Sequence, residues 1–423
     1  MGQNNKRNIY VDVIRGIAML MVIMGHTMTG CTLESQNSFL FNIIWSLQMP
    51  LFILISGYVT KYSRGCYDVH SLGKFVRRRS LAYLLPWVVW TFVIRGVIFG
   101  HSHFTEPLWV VYNMDSGYWF LFTIWIISMC FGLAEYVSKR FAHNVQREFV
   151  VTTVVFGILG GVLLFVGMFM GLKFLGIKLT VYYMSFYWLG YLYWSFGDKI
   201  DSVKYGTVFT NVVITISAFV WIYFMRNVNL FEMSDNGISV LLRMICSITG
   251  CVTICGLCKG LFVFVECAGN QTVMIRGAGV VRCPLVGTLS RSILDAQYAS
   301  DGGEATVLVD SGNDNNAGKL CLDNDPSHNG HKVDKSKQVF EIHSIREKIE
   351  SFFLWAGKHS LEIYLCHGFV LNILKYPVLP CFSEIPGLTV VLCNYILTIL
   401  LLAIIINLLN SNKLLKFVLF GSR

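Results

Sequence analysis

Apolar residues run along this chain in long unbroken blocks, with neither the strict alternation of a half-buried strand nor the single stripe of a surface helix. Ten blocks read as membrane-crossing helices: 11–30, 39–60, 81–99, 117–136, 149–171, 179–196, 206–225, 238–265, 351–374 and 389–409. A hydrocarbon core roughly 30 Å thick requires about 20 apolar residues per helical crossing, and these blocks meet that length. The sixth is short and rich in aromatic residues, which makes it the weakest of the ten. The fold class that follows is an all-α integral membrane protein, with about ten transmembrane helices in one bundle.

Between blocks eight and nine the pattern breaks. Residues 266–350 contain the polar run Asp310 to Gly318, and Asp, Asn, Ser, Gly and Lys dominate as far as Lys337. Such a segment buries too little apolar surface to offset chain entropy and is expected to be a disordered cytoplasmic loop. The chain then divides into helices 1–8 over 1–265, a polar loop over 266–350, and helices 9 and 10 with a short tail over 351–423. A glycine-rich stretch in the loop, Arg276 to Arg282, lacks the third glycine and the strand–turn–helix setting of a phosphate loop.

Composition agrees: 54% of the 423 residues are hydrophobic and 14% charged, and mean hydropathy is +0.57. The net charge of +9 is distributed by side. With the N-terminus in the cytoplasm, the short cytoplasmic segments Lys6–Arg7, Lys61–Arg79, Lys139–Arg147, Lys199–Lys204 and Lys413–Arg423 carry sixteen Lys and Arg residues. The opposite side carries Lys173, Lys178, Arg226 and Lys375. This asymmetry predicts both termini in the cytoplasm. It also accounts for the basic balance without a nucleic-acid partner, since no basic patch with interleaved aromatics forms.

Most of the thirteen cysteines sit inside apolar blocks, where cysteine packs as a small hydrophobe. Cys255 and Cys258 have CxxC spacing, but no second pair follows at zinc-site spacing, and no metal is expected. His101, His103 and Glu106 cluster after block three without a fourth ligand nearby. Lys6 and Arg7 before an apolar run, with Met28-Thr29-Gly30-Cys31 beyond it, have the outline of a cleaved leader. Asp12, Arg15 and His26 lie within that run and argue that it is retained as a helix. In block five, Gly167 and Gly171 have the small-xxx-small spacing of close helix packing.

The informative residues are polar ones inside apolar blocks. A charge at mid-membrane costs roughly 2.5–3.5 kcal/mol on insertion scales, so such residues line polar cavities or pair with one another. In block one, Arg15 and His26 fall within about 20° of each other around a helix and about 16 Å apart along it, and Asp12 shares their face. An Asp12–Arg15 ion pair beside a hydrogen-bonded histidine is one reading. An arginine that grips an anion, with an imidazole deeper in as a base, is the other. Block two carries Gln48-Met49-Pro50 and Ser56-Gly57-Tyr58, which fit either a kinked cavity wall or plain packing. Lys74 and Arg77–Arg79 precede block three, as a positive-inside anchor or a phosphate site. In block nine Ser360, Tyr364 and His367 form one stripe, and a second intramembrane histidine favours a functional cavity. Arg95 and Arg243 are further buried cations.

Taken together these segments resemble the family-three membrane acyltransferases, which include bacterial polysaccharide O-acetylases and fucose O-acetylase-like proteins. The resemblance rests on Tyr10 to Ala18 followed by Gly25-His26, on Met49-Pro50-Leu51-Phe52 with Ser56-Gly57-Tyr58, on Trp119-Phe120-Leu121, and on Ser360, Ile363-Tyr364-Leu365 and His367. It implies an O-acyltransferase of the bacterial inner membrane that takes acetyl from cytoplasmic acetyl-CoA, used as a substrate with no bound cofactor. The acceptor it implies is a hydroxyl of a cell-surface or lipid-linked glycan. His26 would be the catalytic base with Arg15 and Asp12 in support. Arg77, Arg78 and Arg79 would hold the donor, and Gln48, Ser56, Tyr58, Tyr364 and His367 would line the cavity. Two departures stand out: Gln48 replaces a frequent histidine, and the three arginines are contiguous. A transporter using the buried Asp, Arg and His groups is the alternative, although no internal repeat supports it, and an inactive scaffold recruiting a partner through its loop is a third reading.

Overall fold

The computed structural model describes residues 9–31, 38–62, 65–142, 144–202, 205–230, 233, 236–274, 351–375 and 387–421. Among these residues the chain is helical and contains no strand. The helices are α1 (Ile9–Cys31), α2 (Phe39–Tyr58), α3 (Val69–Ile98), α4 (Pro107–Tyr112), α5 (Trp119–Phe141), α6 (Val145–Met170), α7 (Ile177–Ser202), α8 (Gly206–Asn227), α9 (Gly237–Met274), α10 (Ser360–Lys375), α11 (Gly387–Ser411) and α12 (Lys413–Phe420). Residues 351–358 form one further helical stretch leading into α10. All ten apolar blocks fall on helices. Among the described residues eight helices are long and apolar enough to cross a membrane. The sixth block lies on α7, a long helix diluted by its tyrosines and polar residues, and the ninth is divided by a turn at His359. The protein is an all-α integral membrane protein.

Backbone contacts divide the chain into two units. The first, Met1–Lys259 with Lys348–Arg423, contains every feature discussed below. The second, Gly260–Glu347, is described only over 260–274, where α9 continues as helix beyond the expected end of block eight at 265. The expected polar loop otherwise lies outside the described residues.

Within the first unit α2 packs between α1 and α7, and α1 also meets α10 and α11. Lipid tails are as apolar as leucine, so helices associate here through close packing and polar contacts. Glycines set the closest approaches. A Cβ at Gly57 would lie 1.9 Å from the Tyr187 carbonyl oxygen, and one at Gly190 would lie 1.9 Å from the Leu54 oxygen. The α2–α7 crossing is therefore backbone against backbone from both sides. A second crossing joins α1 to residues 351–358, where Cβ atoms at Gly16 and Gly357 would meet the Phe353 and Asp12 carbonyls at 2.5 and 1.9 Å. Of the glycines expected to pack in α6, Gly167 is buried against Leu172 and Ile177, and Gly171 does something else. Gly171, at φ 91°, ends that helix in the left-handed region, and Gly157 and Gly161 face open space.

Polar groups fix the remaining joints. Asn42 on α2 donates to the Val228 carbonyl at 3.0 Å and accepts from the Leu230 amide at 3.3 Å, satisfying the turn that ends α8. The Trp221 indole donates to Ser46 at 3.1 Å. A capping box between Asp68 and Ser71 starts α3, and hydrogen bonds from Ser71 hold the exposed Asp68 carboxyl below its ordinary range. Arg77–Arg79 thus lie on a helix continuous with span three, not in a segment before it. α3 widens into π-helix at Ser80–Leu84 and again at Val89–Ile98, on either side of Pro86. α12 closes over that region through Trp90, whose indole donates to the Leu419 carbonyl at 2.9 Å.

Replacing Gly190 or Gly357 by alanine is expected to destabilise the protein by about 1–3 kcal/mol, because the neighbour at the contact is backbone and cannot turn aside. Gly161→Ala, on an open face, is expected to be neutral or slightly stabilising. Thermal unfolding in detergent separates the two classes.

Candidate active site

α1 carries His26 one turn before its Cys31 end, and there the ring is exposed although Gly25 and Thr27 on either side are buried. The open surface faces a cavity of about 420 Å³, walled by α1, α2, α10, the end of α3 and the turn before α5. His367 of α10 approaches His26 with ring centroids 5.0 Å apart. The His367 Nδ1 lies 2.6 Å from the Tyr364 carbonyl and 3.2 Å from that of Ile363. A carbonyl can only accept, so Nδ1 carries the proton, and in the neutral ring Nε2 is left as an acceptor. The helix itself fixes the tautomer of His367. The Tyr364 ring packs on that of His367 at 5.8 Å and on Phe120 at 5.3 Å.

Gln48 forms part of the wall shared with a second cavity. It is 8% exposed, and its side-chain oxygen has no hydrogen-bond partner. That oxygen sits over Gly25, where an added Cβ would approach it to 2.9 Å, so the glycine before His26 gives the amide its place. A buried carbonyl left without a donor costs about 1–3 kcal/mol and is a place where a substrate hydroxyl or a water is welcome.

Arg95 supplies the cation of this cavity. Its guanidinium donates to the Ser116 carbonyl at 2.7 Å and lies 4.2 Å from the centre of the Phe104 ring. The π-helical end of α3 brings it there, an irregularity often found at functional sites. The turn it grips also carries Tyr118, whose hydroxyl donates to the Leu365 carbonyl of α10 at 3.3 Å. His101 lines the same cavity, whereas His103 stacks on Trp109. Among the described residues no group of three metal-ligating side chains forms.

Of the residues singled out in the sequence, the structure brings together His26, Gln48, Arg95, His101, Tyr364 and His367. Asp12 and Arg15 lie nearer the Ile9 end of α1 and are not among the residues lining this cavity; Asp12 is buried, with its carbonyl against Gly357. Ser56 and Tyr58 do not line it either. The Ser56 hydroxyl donates to the Phe52 carbonyl at 2.9 Å, and Tyr58 packs against Tyr193 beside the α2–α7 crossing. Arg77, Arg78 and Arg79 are likewise absent from it. Arg77 and Arg78 are exposed, while Arg79 turns inward between the Phe75 and Tyr83 rings and donates to the Tyr83 hydroxyl at 3.0 Å. The contacts at Asp115–Tyr118 and Asn394 carried no sequence signal beyond the adjoining Trp119. The CxxC cysteines Cys255 and Cys258 are free thiols.

A pair of imidazoles, one with a fixed tautomer, lines one cavity with a guanidinium between membrane-crossing helices, and this defines a polytopic membrane protein with a polar site inside its bundle. Comparison narrows this class. The model of the acyltransferase domain of acyltransferase family 3 matches residues 8–291, and the chain belongs to that family. It is similar to the nodulation protein NolL of Mesorhizobium japonicum, 30% identical over 131 residues, which is 29% of this chain and 34% of that protein. It is also similar to NolL of Sinorhizobium fredii, 26% identical over 153 residues, 32% of this chain and 39% of that one. The chain thus spans little more than a third of the length of the curated relatives it matches. No solved structure matches it.

Replacing Gln48 with methionine removes an unsatisfied buried carbonyl at nearly constant volume. The expected outcome is a melting temperature in detergent equal to or above that of the parent, together with reduced activity. A drop in stability would show that the amide serves the fold.

Proposed function

We propose that the protein is an O-acyltransferase that moves acetyl from cytoplasmic acetyl-CoA to a hydroxyl of a cell-surface or lipid-linked glycan, working in the bacterial inner membrane with both termini in the cytoplasm. The observation that carries this reading is the His26–His367 pair opening on the cavity shared with Arg95 and Gln48. Family membership supports the acyl chemistry, and the charge asymmetry of the connecting segments supports the orientation.

In the proposed reaction the acceptor hydroxyl gives its proton to an imidazole as its oxygen attacks the thioester carbonyl. The new C–O bond forms, the C–S bond breaks, and the proton is returned to the departing CoA thiolate. His26, whose ring is open to the cavity, is the base. His367 is a neutral acceptor held beside it by the Tyr364 carbonyl, and takes part in handing the proton on. Arg95 stabilises the oxyanion of the tetrahedral intermediate, the role in which fixed donors contribute most. Arg77 and Arg78, exposed toward the opposite end of the bundle with Arg79 anchored beside them, meet the donor's phosphates. Arg15 and Asp12, nearer the Ile9 end of α1, assist passage of the thioester.

In membranes supplied with acetyl-CoA and a glycan acceptor, His26→Ala is expected to lower kcat by roughly 10²- to 10⁴-fold, the span of a lost general base. Undiminished transfer would remove His26 from the mechanism. The double variant Arg77→Gln/Arg78→Gln is expected to raise KM for acetyl-CoA about tenfold or more while kcat stays within a few-fold, the pattern of a lost binding contact. Mass spectra of surface glycans with and without the protein identify the acceptor.

A further inference from the structure

The histidine cavity shares a wall with a second cavity of about 570 Å³, and Gln48, Asp115 and Trp119 line both. The reaction proposed above assigns no step to these three. Gln48 is the member that packing does not explain. It is more than nine-tenths buried, yet its side-chain oxygen accepts no hydrogen bond. Methionine would fill nearly the same volume without leaving a carbonyl unpaired, so the fold alone gives no reason for an amide here.

The oxygen rests over Gly25, the residue before His26, where an added Cβ would meet it at 2.9 Å. The terminal torsion of a glutamine is broad and roughly two-fold, so half a turn of the amide exchanges its oxygen and nitrogen without moving the helix. Whatever satisfies that oxygen must be a hydrogen-bond donor. Asp115 adds acceptors to the same wall: its exposed carboxylate takes the Ser116 hydroxyl at 3.5 Å and keeps further lone pairs for a ligand. Trp119 supplies a flat apolar surface, and Tyr183, stacked on it at 5.4 Å, fixes the plane of the indole. Acceptors set beside an aromatic plane suit a molecule with hydroxyls on its rim and C–H groups on its face, which is the build of a pyranose ring.

We propose that this wall is the sugar subsite of the acceptor. The pyranose lies against Trp119, and a hydroxyl next to the reacting one donates to the Gln48 oxygen, so that Gln48 determines which hydroxyl is presented to His26. The assignment to an acceptor rests on the acyltransferase reading; the requirement for a hydrogen-bond donor rests on the unpaired oxygen alone. The amide N–H groups in the pantetheine arm of the acyl donor share that chemistry, and the test separates the two sources.

The test uses the full chain in detergent and measures the binding of one ligand at a time. The probes are methyl glycosides of glucose, galactose and mannose, the monodeoxy analogues of whichever binds most tightly, and acetyl-CoA. For the parent, one monodeoxy analogue is expected to bind about tenfold more weakly than the full sugar, the effect of one hydrogen bond to a buried group. In Gln48→Met the full sugar is expected to fall to the level of that analogue, so that the discrimination disappears, while affinity for acetyl-CoA stays within about twofold. Trp119→Leu is expected to weaken every glycoside by a similar factor and to leave the discrimination intact. The deoxy series on the parent does not depend on the folding of any variant: equal affinity for all analogues, or binding of no glycoside, would overturn the proposal. So would a Gln48→Met protein that keeps the discrimination or fails to fold, or a Trp119→Leu protein with unchanged glycoside affinity. Loss of acetyl-CoA affinity in Gln48→Met would overturn it too, and would assign the oxygen to the pantetheine amide. Acetyl transfer measured on the same preparations keeps the two readings apart. Gln48-dependent discrimination without transfer would remove the acyltransferase and keep the sugar subsite, and transfer with discrimination indifferent to Gln48 would do the reverse.

Discussion

Backbone-to-backbone contact at two glycine crossings is the constraint on which the rest of this bundle depends. Inside a bilayer, burying apolar surface gives helices little reason to prefer one another over lipid, so specificity comes from close approach and from polar pairing. Gly57 with Gly190 and Gly16 with Gly357 bring α2 to α7 and α1 to residues 351–358 at distances no side chain permits. α1, held at Gly16 and packed against α2 and α10, brings the His26 ring to 5.0 Å from that of His367. The imidazole pair is a consequence of where the backbones touch.

The same economy of space explains the polar residues. Gln48 keeps its amide oxygen above Gly25 because that glycine has no side chain to displace it. The fixed tautomer of His367 comes from a carbonyl of its own helix, which needs no further partner. Pro50, on the wall of the second chamber, has no N–H to offer the Ser46 carbonyl one turn back, and such a gap is tolerable in a membrane only beside protein or water. Gln48 lies where the two cavities share a wall, with His367 on the first and Pro50 on the second.

Helix existence was legible in the sequence because long apolar blocks have one physical meaning in a chain of this composition. His26, Gln48, Tyr364 and His367 were legible for the related reason that a polar group among apolar ones is costly unless it faces a cavity. What the pattern did not carry was distance. Arg15 shares a helical face with His26, yet it lies on the other half of α1, whereas Arg95, far away in sequence and ambiguous with helix-end snorkelling, arrives at the histidines because α3 widens into π-helix. Helical periodicity of 3.6 residues cannot anticipate that widening. Nor did small-xxx-small spacing find the true crossings, since Gly57, Gly190, Gly16 and Gly357 pair between helices and leave no repeat within one.

His367 lies beyond the segment matched by the family model, which ends at residue 291, and geometry brings it to His26. That geometry bears on how one imidazole base can be reset. A lone His26 that takes a proton within the bundle must release it before the next cycle, and a second imidazole at 5.0 Å with its acceptor nitrogen unprotonated is a short first step. His367 is buried, and its Nδ1–H is committed to the carbonyl of its own helix. Arg95 lines the same cavity and offers a fixed donor to an anion formed there. In the proposed acyl transfer the imidazole pair would accept a proton briefly while Arg95 faces the tetrahedral oxyanion, whereas a coupled transporter requires a stored proton.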